Sequence, residues 1–313
     1  MQDTEGLVAS PGPEPDRVRL GTPVDGVHVL ASLSPSRAAD FRTCPLLFRF
    51  RTVDRLPETP SPEALRGTVV HKVLEDLFDL PALERTPGRA EDMVQAAWEL
   101  VLDAEPEAAL MFSGDGPDIV EWLASCRESL RSYFDLEDPR RLEPAEREVY
   151  VEALLDSRLL LRGFVDRIDV APDGAIRVVD YKSGSSPGVG FEARALFQMR
   201  FYALVIWRTR GVVPKLLQLI YLGDGQVIGY EPDEDDLRAT ERLVEAVWRA
   251  IELARATGDW QPNRGYVCRW CSFQDICPAF GNEPPPLPAV EPERDLPLVE
   301  ISGATPVPPD LPA

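Results

Sequence analysis

Residues 163–184 read GFVDRIDVAPDGAIRVVDYKSG. Two runs rich in β-branched and aromatic residues flank Pro172-Asp173-Gly174, so the stretch is confined to a pair of antiparallel strands joined by a short turn. A turn centred near Asp173 sets opposite each other residues whose numbers sum to about 346, which makes Asp166 and Asp180 cross-strand neighbours. Like charges so placed repel unless a cation lies between them, and a divalent metal is the economical explanation of the pair. Lys182 lies two residues beyond Asp180 and points to the same face of its strand. Its ammonium can orient or help deprotonate a water and stabilise developing negative charge. Asp169 lies on the same strand as Asp166 but off its parity, and reads as a surface or supporting acid.

The rest of the chain frames this hairpin. SPSRAADFRTCPLLFRF opens the folded unit, with Ser34 as N-cap, Pro35 in the first turn and a short helix that contains Cys44. ALRGTVVHKVLEDLF follows with apolar residues at helical spacing, then two further helices at about 91–111 and 117–136. From Glu146 the period becomes that of strands: REVYVEALL, SRLLLRGFVDRIDVA and AIRVVDYKSG. A helix over FEARALFQMRFYALVIWRTR, a hairpin about Asp224-Gly225 and a long acid-started helix complete an α, βββ, α, ββ, α order. Residues 1–30 and 283–313 are Pro-rich with scattered acids and no period, and are expected to be disordered tails around a domain at 31–282.

The order of these pieces resembles the RecB-like branch of the PD-(D/E)XK nucleases, which includes the nuclease domains of bacterial recombination exonucleases and the nucleases of CRISPR adaptation. Gly67 to His71 matches the family's Gly-x-x-x-His helix, Gly163 to Asp166 its Gly-x-x-Asp, Asp180 and Lys182 its acid-x-Lys, and Gln198 and Tyr202 its Gln-x-x-x-Tyr. The resemblance implies an α/β fold, a restriction-endonuclease-like core of small mixed sheet flanked by helices. It implies His71, Asp166, Asp180 and the Tyr181 carbonyl as ligands of Mg²⁺ or Mn²⁺, with Gln198 and Tyr202 bracing the site or facing DNA. Each piece alone has a plainer reading: a single His on an apolar helix is usually packed, and Asp-x-Lys is common. Four patterns in one order, on elements of the expected type, make the argument.

Cys268, Cys271 and Cys277 form C-x2-C-x5-C, and Cys44 stands far upstream. Four thiolates suit a 4Fe-4S cluster or a structural zinc ion, and spacing alone does not separate them. In cluster-bearing members of the family one Cys precedes the catalytic motifs and three follow, so the resemblance favours 4Fe-4S. Such a centre would join the N-terminal helix to the C-terminal loop. Cys126 lies in a helix outside the pattern and reads as a buried thiol.

The net charge of -20 excludes a wholly basic coat for nucleic acid, although a local basic groove and bound metal can still serve an acidic nuclease. Without an 18-residue apolar run or a secretory leader, the sequence reads as cytoplasmic and without a membrane partner. It has no G-x-x-x-x-G-K-[ST] loop, so unwinding would fall to a helicase or repair partner. The resemblance implies a metal-dependent DNA exonuclease acting on single-stranded DNA or frayed ends in repair or recombination. The alternatives are a CRISPR-adaptation nuclease that trims DNA and a non-catalytic DNA-binding or scaffold subunit.

Overall fold

The computed structural model describes residues 17–18, 32–58, 61–113, 116–186, 192–288 and 299–300. Most of the two expected tails therefore lies outside the described residues, apart from Arg17–Val18, which pairs with Val299–Glu300, and the segment 283–288.

The chain enters through β1 (Ser32–Leu33), a two-residue strand too short to carry a sequence period. Helix α1 (Pro35–Thr43) follows, with the Ser34 side chain accepting a hydrogen bond from the Arg37 amide as its cap. Cys44 does not lie inside a helix as expected. It adopts an extended backbone (φ -162°) between α1 and α2 (Pro45–Phe48), because the residue before a proline is driven out of the helical region. Its sulfur is thereby placed at a chain corner.

Helices α3 (Pro62–Leu77), α4 (Pro87–Ala104) and α5 (Ile119–Leu136) form a layer before the sheet begins. The first of the two expected helices beyond α3 stops at Ala104, and a 3-10 stretch at Pro106–Phe112 takes its place where Pro106 removes an amide donor. Strands β2 (Glu146–Leu154), β3 (Leu160–Val170) and β4 (Ile176–Lys182) are antiparallel in succession. Helix α6 (Glu192–Arg210), the hairpin of β5 (Leu216–Tyr221) and β6 (Gln226–Tyr230), and helix α7 (Glu234–Thr257) complete the chain.

Among the described residues the sheet is six-stranded and mixed: β1 runs parallel to β3, and β4 parallel to β5. Its faces carry separate cores. On one, Leu161, Val165 and Val178 pack with α1, α2, α6 and α7; on the other, Val179, Tyr181 and Ile220 pack with α3, α4 and α5. Residues 178–181 of β4 thus contribute to both.

Strand β3 has a break in its pairing. On the edge away from β2 it meets β1 only at Leu160 and Leu161, and β4 only from Arg167 to Val170. Residues 162–166 between these have no ladder partner on that edge, which opens a gap in the sheet.

Candidate active site

The expected register holds: β3 and β4 pair as Arg167 with Val179 and Ile168 with Val178, so both pairs sum to 346. Asp166 and Asp180 occupy the next step, just past the last paired rung, where the strands part. There the Tyr181 amide donates to Asp166 Oδ2 at 2.7 Å instead of to a backbone carbonyl.

His71 arrives from α3. Its Nε2 lies 2.9 Å from the Tyr181 carbonyl oxygen, and its Nδ1 lies 3.5 Å from Asp166 and 3.6 Å from Glu148. Gly67, one turn earlier, lets the helix approach: a Cβ there would stand 3.2 Å from Ser183 Oγ. Burial acts to lower the His71 pKa, but Glu148, Asp166 and Asp180 outweigh it and hold it at about 9. Burial, and then the neighbouring Asp180, push Asp166 up to about 7 against the pull of His71. A buried Asp166 that resists ionising beside a histidine held protonated describes a site short of positive charge.

On the other side of the strands stand Lys182, Asp180 and Gln198. Lys182 Nζ is 2.6 Å from Asp180 Oδ2 and donates to Gln198 Oε1 at 3.0 Å, while Gln198 Nε2 donates to Asp180 Oδ1 at 2.9 Å. Asp180 is 2% exposed, and its Oδ2 accepts no aligned hydrogen bond despite the nearby ammonium. Tyr202, one turn beyond Gln198, is buried; its ring lies where a Cβ on residue 163 would fall, 2.8 Å away. Gly163→Ala should consequently displace the ring, lower stability by roughly 1–3 kcal/mol and reduce any activity that depends on Gln198. Thermal melts beside the activity assay check it, and a variant with unchanged melting and activity would refute the packing argument.

The residues fit a divalent cation. His71, Glu148 and Asp166 each offer a ligand atom within 4.8 Å of the others, and Asp180 adds a buried oxygen without an aligned partner. Glu148 was not anticipated. It lies on β2 opposite Asp166, with a left-handed backbone (φ 41°) that breaks the strand's alternation and hides it from parity arguments. A non-glycine held at positive φ beside a site is the signal that only coordinates supply.

A further layer was also missed. Arg167 is 1% exposed; its guanidinium makes two hydrogen bonds to Glu137 at 2.8 and 2.9 Å and donates to the Tyr181 hydroxyl. Asp169 joins this network through Arg177 at 2.7 Å, in keeping with a supporting acid. The network grips the residue whose amide and carbonyl face Asp166 and His71.

A model of the PD-(D/E)XK nuclease superfamily matches residues 32–278. The chain belongs to the PD-(D/E)XK nuclease superfamily. Gene 69 protein of Mycobacterium phage D29 is 26% identical over 268 residues, which cover 79% of this chain and 96% of that protein. A subunit of the ATP-dependent helicase/deoxyribonuclease of Streptococcus equi subsp. zooepidemicus strain H70 is 28% identical over 131 residues, 41% of this chain but 12% of that protein. The crystal structure of a Eubacterium rectale protein provisionally assigned as an exonuclease superposes with a TM-score of 0.51 at 15% identity, covering 77% of this chain and 86% of that one. This last is a likeness of fold. The mixed sheet between helices is thus the PD-(D/E)XK core that the sequence led us to expect.

In this PD-(D/E)XK chain Cys44, Cys268, Cys271 and Cys277 line one partly open cavity of about 210 Å³. That is far more than the ~10–15 Å³ one water occupies in the same measure. Backbone amides approach two of the sulfurs: Asn263 N lies 3.3 Å from Cys44 Sγ, and Gly265 N lies 3.4 Å from Cys268 Sγ. Cys126 is buried in α5, away from this group.

Proposed function

We propose that this protein is a divalent-metal-dependent DNA exonuclease that hydrolyses phosphodiester bonds in single-stranded DNA or at DNA ends. The observation that carries it is the meeting of His71, Glu148 and Asp166 on one side of Asp180 with the Lys182–Gln198 pair on the other. Mg²⁺ or Mn²⁺ held by His71, Asp166, Asp180 and the Tyr181 carbonyl would polarise the scissile phosphate and acidify water. Lys182, fixed by Asp180 and Gln198, supplies the positive charge that orients the attacking water and offsets charge on the phosphate. Gln198 holds Lys182 and Asp180 in register, and Tyr202 supports Gln198 from the adjacent turn. The likeness to part of a helicase/deoxyribonuclease supports a role in repair or recombination beside a helicase. Among the described residues no helix is long and apolar enough to cross a membrane.

The same reading assigns a 4Fe-4S cluster to Cys44, Cys268, Cys271 and Cys277, which together line one cavity of about 210 Å³. Iron, sulfide and zinc analysis after anaerobic purification tests this. Zinc without sulfide would replace the cluster by a structural ion.

End-labelled single-stranded DNA incubated with Mg²⁺ or Mn²⁺ should be degraded, and EDTA should stop it. An intact protein that cleaves no DNA under either metal would favour the non-catalytic scaffold instead.

Metal affinity should also depend on pH. Metal binds the deprotonated forms of His71 and Asp166, whose pKa values stand at about 9 and about 7, so protons compete with the ion at neutral pH. Calorimetric titration with Mn²⁺ under anaerobic conditions should show affinity rising roughly tenfold or more per unit from pH 6 to 8.5. A flat profile would contradict this assignment of ligands.

A further inference from the structure

The gap between β1 and β4 borders a groove of about 890 Å³ lined by Ser34, Ser36, Gly163, Phe164, Gln198 and Tyr202, among others. The groove thus runs between Gln198, which contacts Asp180 and Lys182, and the first turn of α1. On its rim Phe164 is 58% exposed, two residues before Asp166 on β3. Tyr150 stands opposite it on β2 and is 45% exposed, with ring centroids 5.3 Å apart at 59°. Cross-strand packing accounts for the contact between the rings but not for the faces both leave to solvent beside the site.

Cations gather at the same place. Arg37 lies in the first turn of α1, and Arg162 directly precedes Gly163. Burial, then Arg162 and Arg55, depress the Arg37 pKa, so each of these two lies near enough to Arg37 to repel it. Arg162 also reaches the Tyr150 hydroxyl, which donates to Glu152 at 2.8 Å, and so joins the cations to the rings. Arg55 is held at φ 50°. In a chain of net charge -20, arginines beside an exposed aromatic pair form a local basic patch of the kind that phosphate binding draws on, even with Glu152 opposite Arg162.

We propose that this gap seats unpaired nucleotides of single-stranded DNA, with a base stacked on Phe164 and Tyr150 and phosphates held by Arg37, Arg55 and Arg162. The proposal rests on the nuclease reading above and adds the element that selects unpaired substrate: a base can reach the rings only when it is not stacked in a duplex. Aromatic faces accept any base, so selection is for strandedness rather than sequence.

The test is fluorescence anisotropy in EDTA with a labelled thymidylate dodecamer, an abasic dodecamer of the same backbone and a uridylate dodecamer. Wild type should bind thymidylate more tightly than the abasic strand. Phe164→Ala should remove most of that preference, on the order of tenfold, whereas Phe164→Trp should keep it. Arg37→Gln should weaken binding to both and reduce the slope of log affinity against log salt by ~0.7. Folded Phe164→Ala with the wild-type preference would overturn the stacking seat. If that variant fails to fold, loss of the preference in folded Phe164→Trp, or an unchanged salt slope in Arg37→Gln, overturns it instead. Tighter binding of uridylate would overturn the assignment to DNA. Wild-type hydrolysis is followed in parallel. Base-dependent binding without hydrolysis in Mg²⁺ or Mn²⁺ would sustain the seat while removing the nuclease reading; hydrolysis with binding indifferent to Phe164 and Arg37 would do the reverse.

Discussion

Asp180→Ala is expected to lower hydrolysis of single-stranded DNA by about 10³-fold or more, corresponding to ~4 kcal/mol of barrier. Lys182→Ala should do the same by a different route, removing the charge offered to the phosphate. The more discriminating expectation concerns stability. Asp180 is buried beside Asp166 and is the nearby charge that raises the Asp166 pKa. Its removal relieves that repulsion, although it strands the Gln198 amide that donates to Asp180 Oδ1 and the Lys182 ammonium beside Oδ2. The two changes oppose each other, so the metal-free variant should melt within a few degrees of wild type. Asp180→Asn retains an oxygen for Gln198 but sets an amide donor against the Lys182 ammonium, so it keeps one contact and gives up the ion pair. It should be as inactive, and its melting relative to Asp180→Ala reads out the Gln198 bond. Full activity in Asp180→Asn and Lys182→Ala would remove the proposed site.

The second large effect is on the cysteine site. If the proposed cluster is present, Cys44→Ser should abolish iron retention and sharply reduce stability, because Cys44 would be the thiolate that ties the α1–α2 corner to the loop carrying Cys268, Cys271 and Cys277. The closed segment exceeds two hundred residues. By the chain-entropy relation for a cross-link of that span, its opening costs ~5 kcal/mol, equivalent to a fall in melting temperature of roughly 10–20 °C for a domain this size. Differential scanning calorimetry of anaerobically prepared wild type and variant measures it. Iron content and melting temperature both unchanged in Cys44→Ser would exclude Cys44 from the centre. Cys126→Ser is the control: it should alter packing locally and leave the metal content intact.

Much of the site could be read before any coordinates, for identifiable reasons. A hairpin's register follows from its turn, so the pairing that places Asp166 beside Asp180 followed from Pro172-Asp173-Gly174. Periodicity gave the helices that carry His71 and the Gln198–Tyr202 pair, while the resemblance to the family's patterns singled those residues out. What escaped reading depends on geometry that no period encodes. Glu148 sits on a strand whose backbone turns left-handed at that one residue. Arg167 is a charged residue that composition assigns to the surface, and its partner Glu137 comes from the end of α5, thirty positions earlier. The extended Cys44 could have been inferred from Pro45, since a proline rarely permits a helical predecessor. β1 is two residues long, and only its parallel pairing with Leu160 and Leu161 reveals it.

The two cores on opposite faces of the sheet bear on how this molecule would respond to losing its metal. His71 belongs to the layer of α3, α4 and α5, whereas Gln198 and Tyr202 belong to the layer of α6, and the strand ends carrying Asp166, Asp180 and Lys182 lie between them. Ligands drawn from α3 and from the strand ends would work as a rivet between that layer and the sheet. With an ion in place, the α3 layer could not breathe away from the sheet without breaking coordination, so its opening would be tied to that of the sheet. Without it, each layer is held by its own packing alone, and the helical one can exchange its amides on its own timescale. The active centre would then also set how many independently unfolding parts the protein has.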